Sequence, residues 1–132
     1  MNITVDSNVL IRYTMMDDPV QSELARKVID QAETICIPSL TLCEYVRVLA
    51  TAYGLSRAEI TQAIGAILEA DNVRVDQFAV DKALAMLEAG GDFADGVIAF
   101  EGQWLGADEF VTFNQPAAEM LNAAGIPARY LA

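Results

Sequence analysis

The sequence predicts an α/β domain in which helices cover both faces of a parallel sheet. Short β-branched or apolar segments alternate with longer helical patterns along the whole chain. Parallel neighbouring strands require crossover connections of this kind. With 132 residues, the chain has room for one domain, residues 1–132, and not for a second catalytic domain.

Five segments have the composition of strands, because β-branched or apolar residues predominate in each. They are residues 3–5, 34–37, 73–75, 110–112 and 126–131. All five are separated by predicted helices, so the prediction is a parallel five-stranded sheet flanked by helices in three layers. In such sheets, binding sites form beyond the carboxyl ends of the strands.

Helix starts are recognised from capping residues and from apolar spacing. A first turn follows Asp6-Ser7-Asn8, Asp18-Pro19 begins a helix to about residue 32, and Ser39 caps a helix to residue 54. A capping box at residues 56–59 precedes a helix over residues 60–70. The remaining helices are predicted over residues 78–89, over residues 93–105 after the Gly90-Gly91 break, and from Asn114-Gln115-Pro116 to Gly125. Val20, Leu24, Val28 and Ile29 are predicted to form the buried stripe of the second helix.

The composition predicts a soluble, cytoplasmic protein without a membrane segment. The mean hydropathy is +0.30, but no apolar stretch is long enough to span a bilayer, and a strand-like segment follows Met1 directly. Cys36 and Cys43 lack the spacing of a zinc site and the chain has no histidine. Both cysteines are therefore expected to pack as small buried apolar residues.

The charge balance constrains which partners the chain can bind. Eight basic and nineteen acidic residues give a net charge of −11, which argues against nonspecific binding of nucleic acid through phosphate contacts. Two explanations would reconcile this charge with a nuclease. Bound divalent metal would change the sign of the local field, or the acidic chain would have a basic protein partner.

Acidic and amide residues occur where the predicted fold would place a site. Asp6 follows the first strand, Glu44 lies on the helix that Ser39 begins, and Asn114 follows the fourth strand. Asp92 and Asp95 open a later helix and, being three residues apart, share one helical face. Carboxylates gathered in this way repel one another, so the arrangement is reasonable mainly with a divalent cation. Oxygen-only ligands point to Mg²⁺ or Mn²⁺.

Each of these residues also has a purely structural interpretation. Asp6 can make an Asx turn, Glu44 can be a solvated residue paired with Arg47, and Asp92 and Asn114 can cap helices. Asp95 in a first turn favours the helix dipole. The prediction of a site therefore depends on all of these residues together.

Four segments of the chain resemble, in order and spacing, the motifs of PIN domains, most closely those of VapC toxins. They are Val5-Asp6-Ser7-Asn8-Val9-Leu10-Ile11-Arg12, Glu44 on its helix, Asp92-Phe93-Ala94-Asp95-Gly96-Val97-Ile98-Ala99, and Val111-Thr112-Phe113-Asn114. The resemblance spans almost the entire chain. It departs from the usual pattern at Asn114, where many relatives have Asp, and this places a second metal in doubt.

The resemblance implies a metal-dependent endoribonuclease, the toxin of a type II toxin–antitoxin pair. It also implies a homodimer and inhibition by a VapB-type antitoxin. Asp6, Glu44, Asp95 and Asp92 would form the acidic pocket. Asn114, Thr112 and Asn8 would support these ligands.

Arg12 and Arg47 each lie within two helical turns of a proposed ligand. One or both are expected to contact substrate phosphates. The alternative is an ion pair with a nearby acid. Two other functions are considered for the chain: a catalytically weak PIN-like binding module, and phosphoryl-transfer chemistry. The second fits poorly, because no Asp stands two residues after Asp6 and no Lys ends a late strand.

Overall fold

Seven helices and five strands alternate along the chain in the computed structural model, which describes residues 1–132. The chain divides into two units, Met1–Asp76 and Gln77–Ala132, each with its own parallel sheet. That residues 1–132 make a single domain stays a prediction. No helix has both the length and the apolar character needed to cross a lipid bilayer.

The first unit contains three strands and four helices. In chain order they are β1 (Asn2–Thr4), α1 (Ser7–Met15), α2 (Pro19–Gln31), β2 (Thr34–Cys36), α3 (Ser39–Thr51), α4 (Arg57–Leu68) and β3 (Val73–Arg74). The strand order is β1-β2-β3, with Ile3 opposite Ile35 and Ile35 opposite Val73. α1 packs against α2 and α3. Two helices thus connect each pair of parallel neighbours in this sheet.

The second unit contains three helices and two strands. They are α5 (Gln77–Glu88), α6 (Phe93–Trp104), β4 (Phe110–Thr112), α7 (Gln115–Ala123) and β5 (Ala128–Tyr130). β4 and β5 are parallel, with Val111 opposite Arg129. α5 packs against α6, and α7 packs against both strands.

The five predicted strands are all present, but they form a three-stranded and a two-stranded sheet. The backbone hydrogen bonds therefore do not confirm the predicted five-stranded sheet. The strands are only two or three residues long, so each ladder contains few hydrogen bonds. A sequence pattern reveals that a segment is a strand, but the neighbour of that strand is decided by packing.

Most helices begin where the capping residues predict. The predicted cap by Ser39 is wrong, because Pro38 is the N-cap of α3 and Ser39 is its first helical residue, without a side-chain cap hydrogen bond. Asp18 accepts a hydrogen bond from the Gln21 amide at the start of α2. Ser56 and Glu59 form the reciprocal capping box at the start of α4, with distances of 3.1 Å and 3.0 Å. Each cap satisfies a first-turn amide that has no partner within the helix.

The apolar stripe predicted for α2 is wrong for three of its four residues. Val20, Leu24 and Val28 are 71%, 58% and 49% exposed, and only Ile29 is buried. The buried face of α2 consists instead of Ser22, Ala25 and Ile29. The larger apolar side chains Val20, Leu24 and Val28 therefore lie outside the core.

The prediction of a buried cysteine is wrong for Cys36, which is exposed, while Cys43 is of intermediate exposure. Successive residues of a strand face opposite sides of the sheet. The buried residue of β2 is Ile35, so its neighbour Cys36 faces the other way. Neither cysteine forms a disulfide.

The apolar core of each unit is made of fully buried aliphatic and aromatic residues. In the first unit these include Leu10, Ile35, Leu42, Tyr45, Leu49 and Ile64. In the second unit, Met86, Ala99, Leu121 and Ile126 form one buried cluster, against which Phe110 and Met120 pack. Tyr45 keeps its hydroxyl satisfied by a 2.6 Å hydrogen bond with Thr14.

Gly96 allows α5 and α6 to pack closely. A Cβ atom at this position would lie 2.7 Å from the Cα atom of Ala83 and 3.1 Å from the carbonyl oxygen of Lys82. Both atoms belong to the backbone and cannot move aside without shifting the helix. The glycine therefore allows the first turn of α6, which carries Asp95, to lie directly against α5.

We expect Gly96→Ala to lower the free energy of unfolding by about 1–3 kcal/mol, because the added methyl group overpacks the α5–α6 contact. Gly65→Ala is the matched control, since a Cβ atom there meets nothing within 4 Å. Removing a glycine from the middle of α4 should raise the stability by about 0.5–1 kcal/mol. Urea unfolding of the metal-free variants measures both, and equal effects would contradict the proposed close contact.

Candidate functional site

Asp6 lies at the junction between β1 and α1, as predicted. Its Oδ1 atom accepts a 3.2 Å hydrogen bond from the Val9 amide, so Asp6 is the N-cap of α1. The side chain is exposed, and Oδ2 accepts no hydrogen bond. The structural role and a ligand role are compatible, because the cap uses only one of the two carboxylate oxygens.

Glu44 lies near the middle of α3, among the buried residues Leu42, Tyr45 and Val46, but its own side chain is exposed. The Ser7 hydroxyl donates a 3.3 Å hydrogen bond to Glu44 Oε2. Since Ser7 follows Asp6 in the chain, this bond links the segment that carries Asp6 to the helix that carries Glu44. The structure thus places these two predicted acids in neighbouring parts of the first unit.

Arg47 and Asn8 are exposed residues of the first unit. The alternative ion pair between Glu44 and Arg47 does not form, since Arg47 takes part in no salt bridge of the structure. Arg47 therefore presents an unpaired positive charge on α3. Asn8 lines a cleft together with Asp6.

Arg12 is held by three side chains. Its Nε atom donates to Gln21 Oε1 at 2.7 Å, and its Nη1 atom donates to Asp17 Oδ1 at 3.0 Å and to the Tyr53 hydroxyl at 3.3 Å. The Tyr53 hydroxyl in turn donates to Asp17 Oδ2 at 2.6 Å. For Arg12, the alternative of an ion pair with a nearby acid is therefore the one that the structure shows. A contact with substrate stays a prediction.

Asp92 and Asp95 lie at the start of α6 in the second unit. Asp92 is exposed and caps the helix through a 3.2 Å hydrogen bond from the Ala94 amide. Asp95 is partly buried in the first turn. Burial, and secondarily the negative charge of Asp92, raise the pKa of Asp95 above its ordinary value. The charged form of Asp95 is thus disfavoured, and a nearby cation would favour it.

Thr112 and Asn114 form a local pair where β4 ends and α7 begins. The Asn114 amide donates to Thr112 Oγ1 at 3.0 Å, and Asn114 Oδ1 accepts from the Ala117 amide at 3.1 Å. Asn114 is therefore the N-cap of α7. Its side-chain oxygen is already engaged in the cap, which weakens the case for a direct metal ligand at this position.

The chemistry of these donors fits a hard divalent cation, since all are oxygen atoms and neither histidine nor cysteine takes part. Asp6 and Asp92 each retain one carboxylate oxygen that is not used by a helix cap. The structure shows no group of three or more acidic or cysteine side chains placed to hold a metal ion. The residues that could take part are therefore Asp6 and Glu44 in the first unit and Asp92 and Asp95 in the second.

The sequence did not predict the residues that hold these side chains in place. Ser7 contacts Glu44 across 37 positions, and Tyr53 contacts Asp17 across 36. No local pattern signals contacts at such separations. Gln21 is the exception. It lies on the same face of α2 as Leu24 and Val28, so the spacing could have indicated that it contacts α1.

These features define a small α/β protein with three candidate acids at helix starts, Asp6, Asp92 and Asp95, and a fourth, Glu44, within α3. The family model described as the PIN domain matches residues 3–118. The chain therefore belongs to the PIN domain family, whose members are generally metal-dependent nucleases. A search of curated proteins finds no significant match.

We expect Tyr53→Phe to raise the pKa of Asp17. The hydrogen bond from Tyr53 is the main cause that holds the pKa of Asp17 below its ordinary value of about 3.9, with Arg12 contributing. A depressed carboxyl pKa adds stability that is present above pH 4 or so and is lost as the pH falls through the folded-state pKa. The variant should therefore lose less stability on acidification than the wild type.

Carbon-detected NMR titration of the Asp17 carboxyl measures this change directly. Tyr130→Phe serves as the control, because the Tyr130 hydroxyl makes no hydrogen bond and lies in the second unit. An unchanged Asp17 titration midpoint in Tyr53→Phe would show that the short hydrogen bond does not stabilise the carboxylate.

Proposed function

We propose that the chain is an endoribonuclease that depends on Mg²⁺ or Mn²⁺ and acts as the VapC-type toxin of a toxin–antitoxin pair. The observation that carries the proposal is the Asp92–Asp95 pair in a chain of the PIN domain family. Asp92 caps α6 and Asp95 lies in its first turn, and the pKa of Asp95 is raised. Perturbed acids of this kind are typical of functional sites.

In this proposal, Asp6, Glu44, Asp92 and Asp95 are the acidic ligands, directly or through water. A bound Mg²⁺ or Mn²⁺ supplies an activated water and stabilises the charge that develops on the phosphate oxygens. Asp6 and Asp92 offer the oxygen that their helix caps leave free, and Ser7 orients Glu44 through its hydroxyl. The family match covers residues 3–118 and therefore all four acids, which supports the proposal that they act together as ligands.

The supporting residues have smaller roles. Thr112 and Asn114 orient the β4–α7 junction, and Asn8 lies beside Asp6. Arg47 is the better of the two candidate phosphate contacts, because its charge is unpaired whereas that of Arg12 is neutralised by Asp17. An exposed, unpaired arginine can bind a phosphate at a small cost in free energy, because no existing ion pair has to break.

We expect the pure chain to cleave RNA with Mg²⁺ or Mn²⁺, and expect Asp6→Asn and Asp95→Asn to reduce cleavage by at least about a hundredfold. Asparagine at position 6 can still cap α1. Asparagine at position 95 is uncharged, so it avoids the cost of a disfavoured carboxylate there. Both variants should therefore stay folded, which circular dichroism checks.

Two exposed acids outside the proposed site provide controls of equal charge change. They are Asp71→Asn in the first unit and Asp108→Asn in the second, and we expect both to cleave like the wild type. A folded wild-type chain that cuts no RNA with either metal would refute the proposal. Calorimetric titration with Mn²⁺ adds a test independent of activity, because Asp95→Asn should weaken binding.

The alternative is a catalytically weak PIN-like binding module. The observations that favour it are Asn114, whose oxygen is committed to a helix cap, and the absence of three acidic side chains around one point. A binding module would show no tight metal site in the calorimetric titration, so the same experiment separates the two functions.

The partners are proposed to be a second copy of the chain and a basic VapB-type antitoxin. Exposed apolar side chains such as Trp104 and Leu105 are surface that an interface would cover. The net charge of −11 favours a basic partner. An arginine of that partner could neutralise the acidic residues and compete with metal.

We expect a small basic DNA-binding protein, encoded by the neighbouring reading frame, to bind the chain and abolish RNA cleavage. Because the attraction is between opposite charges, added salt should weaken the complex. Mixing the two purified proteins in a cleavage assay at low and high salt tests this. Cleavage that is unaffected by the neighbour's product would contradict the antitoxin assignment.

A further inference from the structure

A cleft of about 310 Å³ lies between α1 and α2 in the first unit. This volume is at the small end of the range of about 300–1,000 Å³ for ligand sites. Asp6 lines the cleft, so a molecule bound there would lie beside a proposed ligand of the metal. The other lining residues are Asn8, Val9, Arg12, Gln21, Leu24, Ala25 and Val28.

The walls of the cleft are apolar. Val9 belongs to α1, whereas Leu24, Ala25 and Val28 belong to α2. Leu24 and Val28 remain 58% and 49% exposed, although large aliphatic side chains favour burial. The cleft therefore offers two apolar walls to a flat ligand that can cover them.

Arg12 provides one fixed group of hydrogen-bond donors in this cleft. Gln21 occupies its Nε atom, while Asp17 and Tyr53 occupy its Nη1 atom. The Nη2 atom makes no hydrogen bond and keeps both of its donors. Three existing bonds fix the guanidinium plane, so a ligand that accepts from Nη2 need not order a flexible side chain.

The charge of the cleft decides which acceptor suits Arg12. Asp17 pairs with the Arg12 guanidinium at 3.0 Å, and Asp6 adds a negative charge among the lining residues. A phosphate would therefore meet no net positive charge in this cleft. A neutral acceptor, such as a carbonyl oxygen or ring nitrogen on the edge of a base, does not suffer this repulsion.

We propose that the α1–α2 cleft holds one unpaired nucleobase of the RNA substrate, next to the bond that is cut. The base lies between the walls formed by Val9, Leu24 and Val28. Arg12 donates to an acceptor on its edge, and Gln21, Asp17 and Tyr53 are positioning residues for Arg12. This proposal rests on the proposed ribonuclease function and deepens it, because it assigns the part of the chain that selects the base.

The experiment uses a short single-stranded RNA that the full-length protein cuts at one site. Each nucleotide around that site is replaced in turn by an abasic nucleotide. For the wild type, we expect one position at which removal of the base lowers kcat/KM by about tenfold. Leu24→Ala and Gln21→Ala should lose a similar factor on the intact RNA and be insensitive to base removal at that same position.

Val20→Ala is the matched control, since Val20 is an exposed apolar residue of α2 that does not line the cleft. It should respond to base removal as the wild type does. Leu24 and Gln21 are both exposed, so their replacement leaves the buried core intact. A second readout without metal measures binding of the same fluorescent RNAs to Asp95→Asn by anisotropy, with and without Leu24→Ala.

Leu24→Ala that responds to base removal as the wild type does would overturn the proposal. So would a Leu24→Ala variant whose oligomeric state or partner binding changes while its base preference is retained, because the cleft would then be a protein interface. Absence of cleavage by the wild type refutes the ribonuclease function instead. In that case, the binding readout still decides whether the cleft takes a base: loss of affinity on base removal supports it, and unchanged affinity overturns it.

Discussion

One kind of hydrogen bond, repeated at three helix starts, holds three of the candidate site residues. At Asp6, Asp92 and Asn114, a side-chain oxygen accepts from a backbone amide in the first turn of the helix that follows. The bond satisfies an amide that has no partner within the helix, and so it fixes where the helix begins. At Asp6 and Asp92, it also fixes the second carboxylate oxygen, which the cap leaves available. An acidic residue at these two positions therefore stabilises the helix start and also leaves one oxygen available to a cation.

At Asp95, by contrast, a charged carboxylate is unfavourable for the stability of the fold. Burial and the neighbouring charge of Asp92 raise its pKa, so the metal-free fold carries an unfavourable carboxylate in the first turn of α6. Gly96, the next residue, allows α6 to pack against α5 so closely that no Cβ atom would fit. The first turn of α6 therefore lies directly against α5, where Asp95 is partly buried.

In the first unit, the packing of α2 against α1 leaves large apolar side chains at the surface. α2 buries small residues such as Ala25 and leaves Leu24 and Val28 exposed beside Arg12. The Arg12 side chain is in turn fixed by residues from α2, from the α1–α2 connection and from beyond the end of α3. A position that looks like core in the sequence is therefore part of an accessible cleft.

The sequence by itself determined the elements and the candidate acids. Alternating segments located the strands and most helices to within a few residues, although α1 was predicted only as a first turn and extends to Met15. Capping residues located helix starts such as that at Asp18, because these signals act over one turn of chain. The order of short motifs also identified the family that residues 3–118 match. Only the tertiary structure decided that the strands form two sheets, that α2 buries Ala25 and exposes Leu24, and that Tyr53 and Asp17 hold Arg12. These outcomes depend on contacts between residues far apart in the chain, and the free energy of such contacts comes from packing that no local pattern encodes.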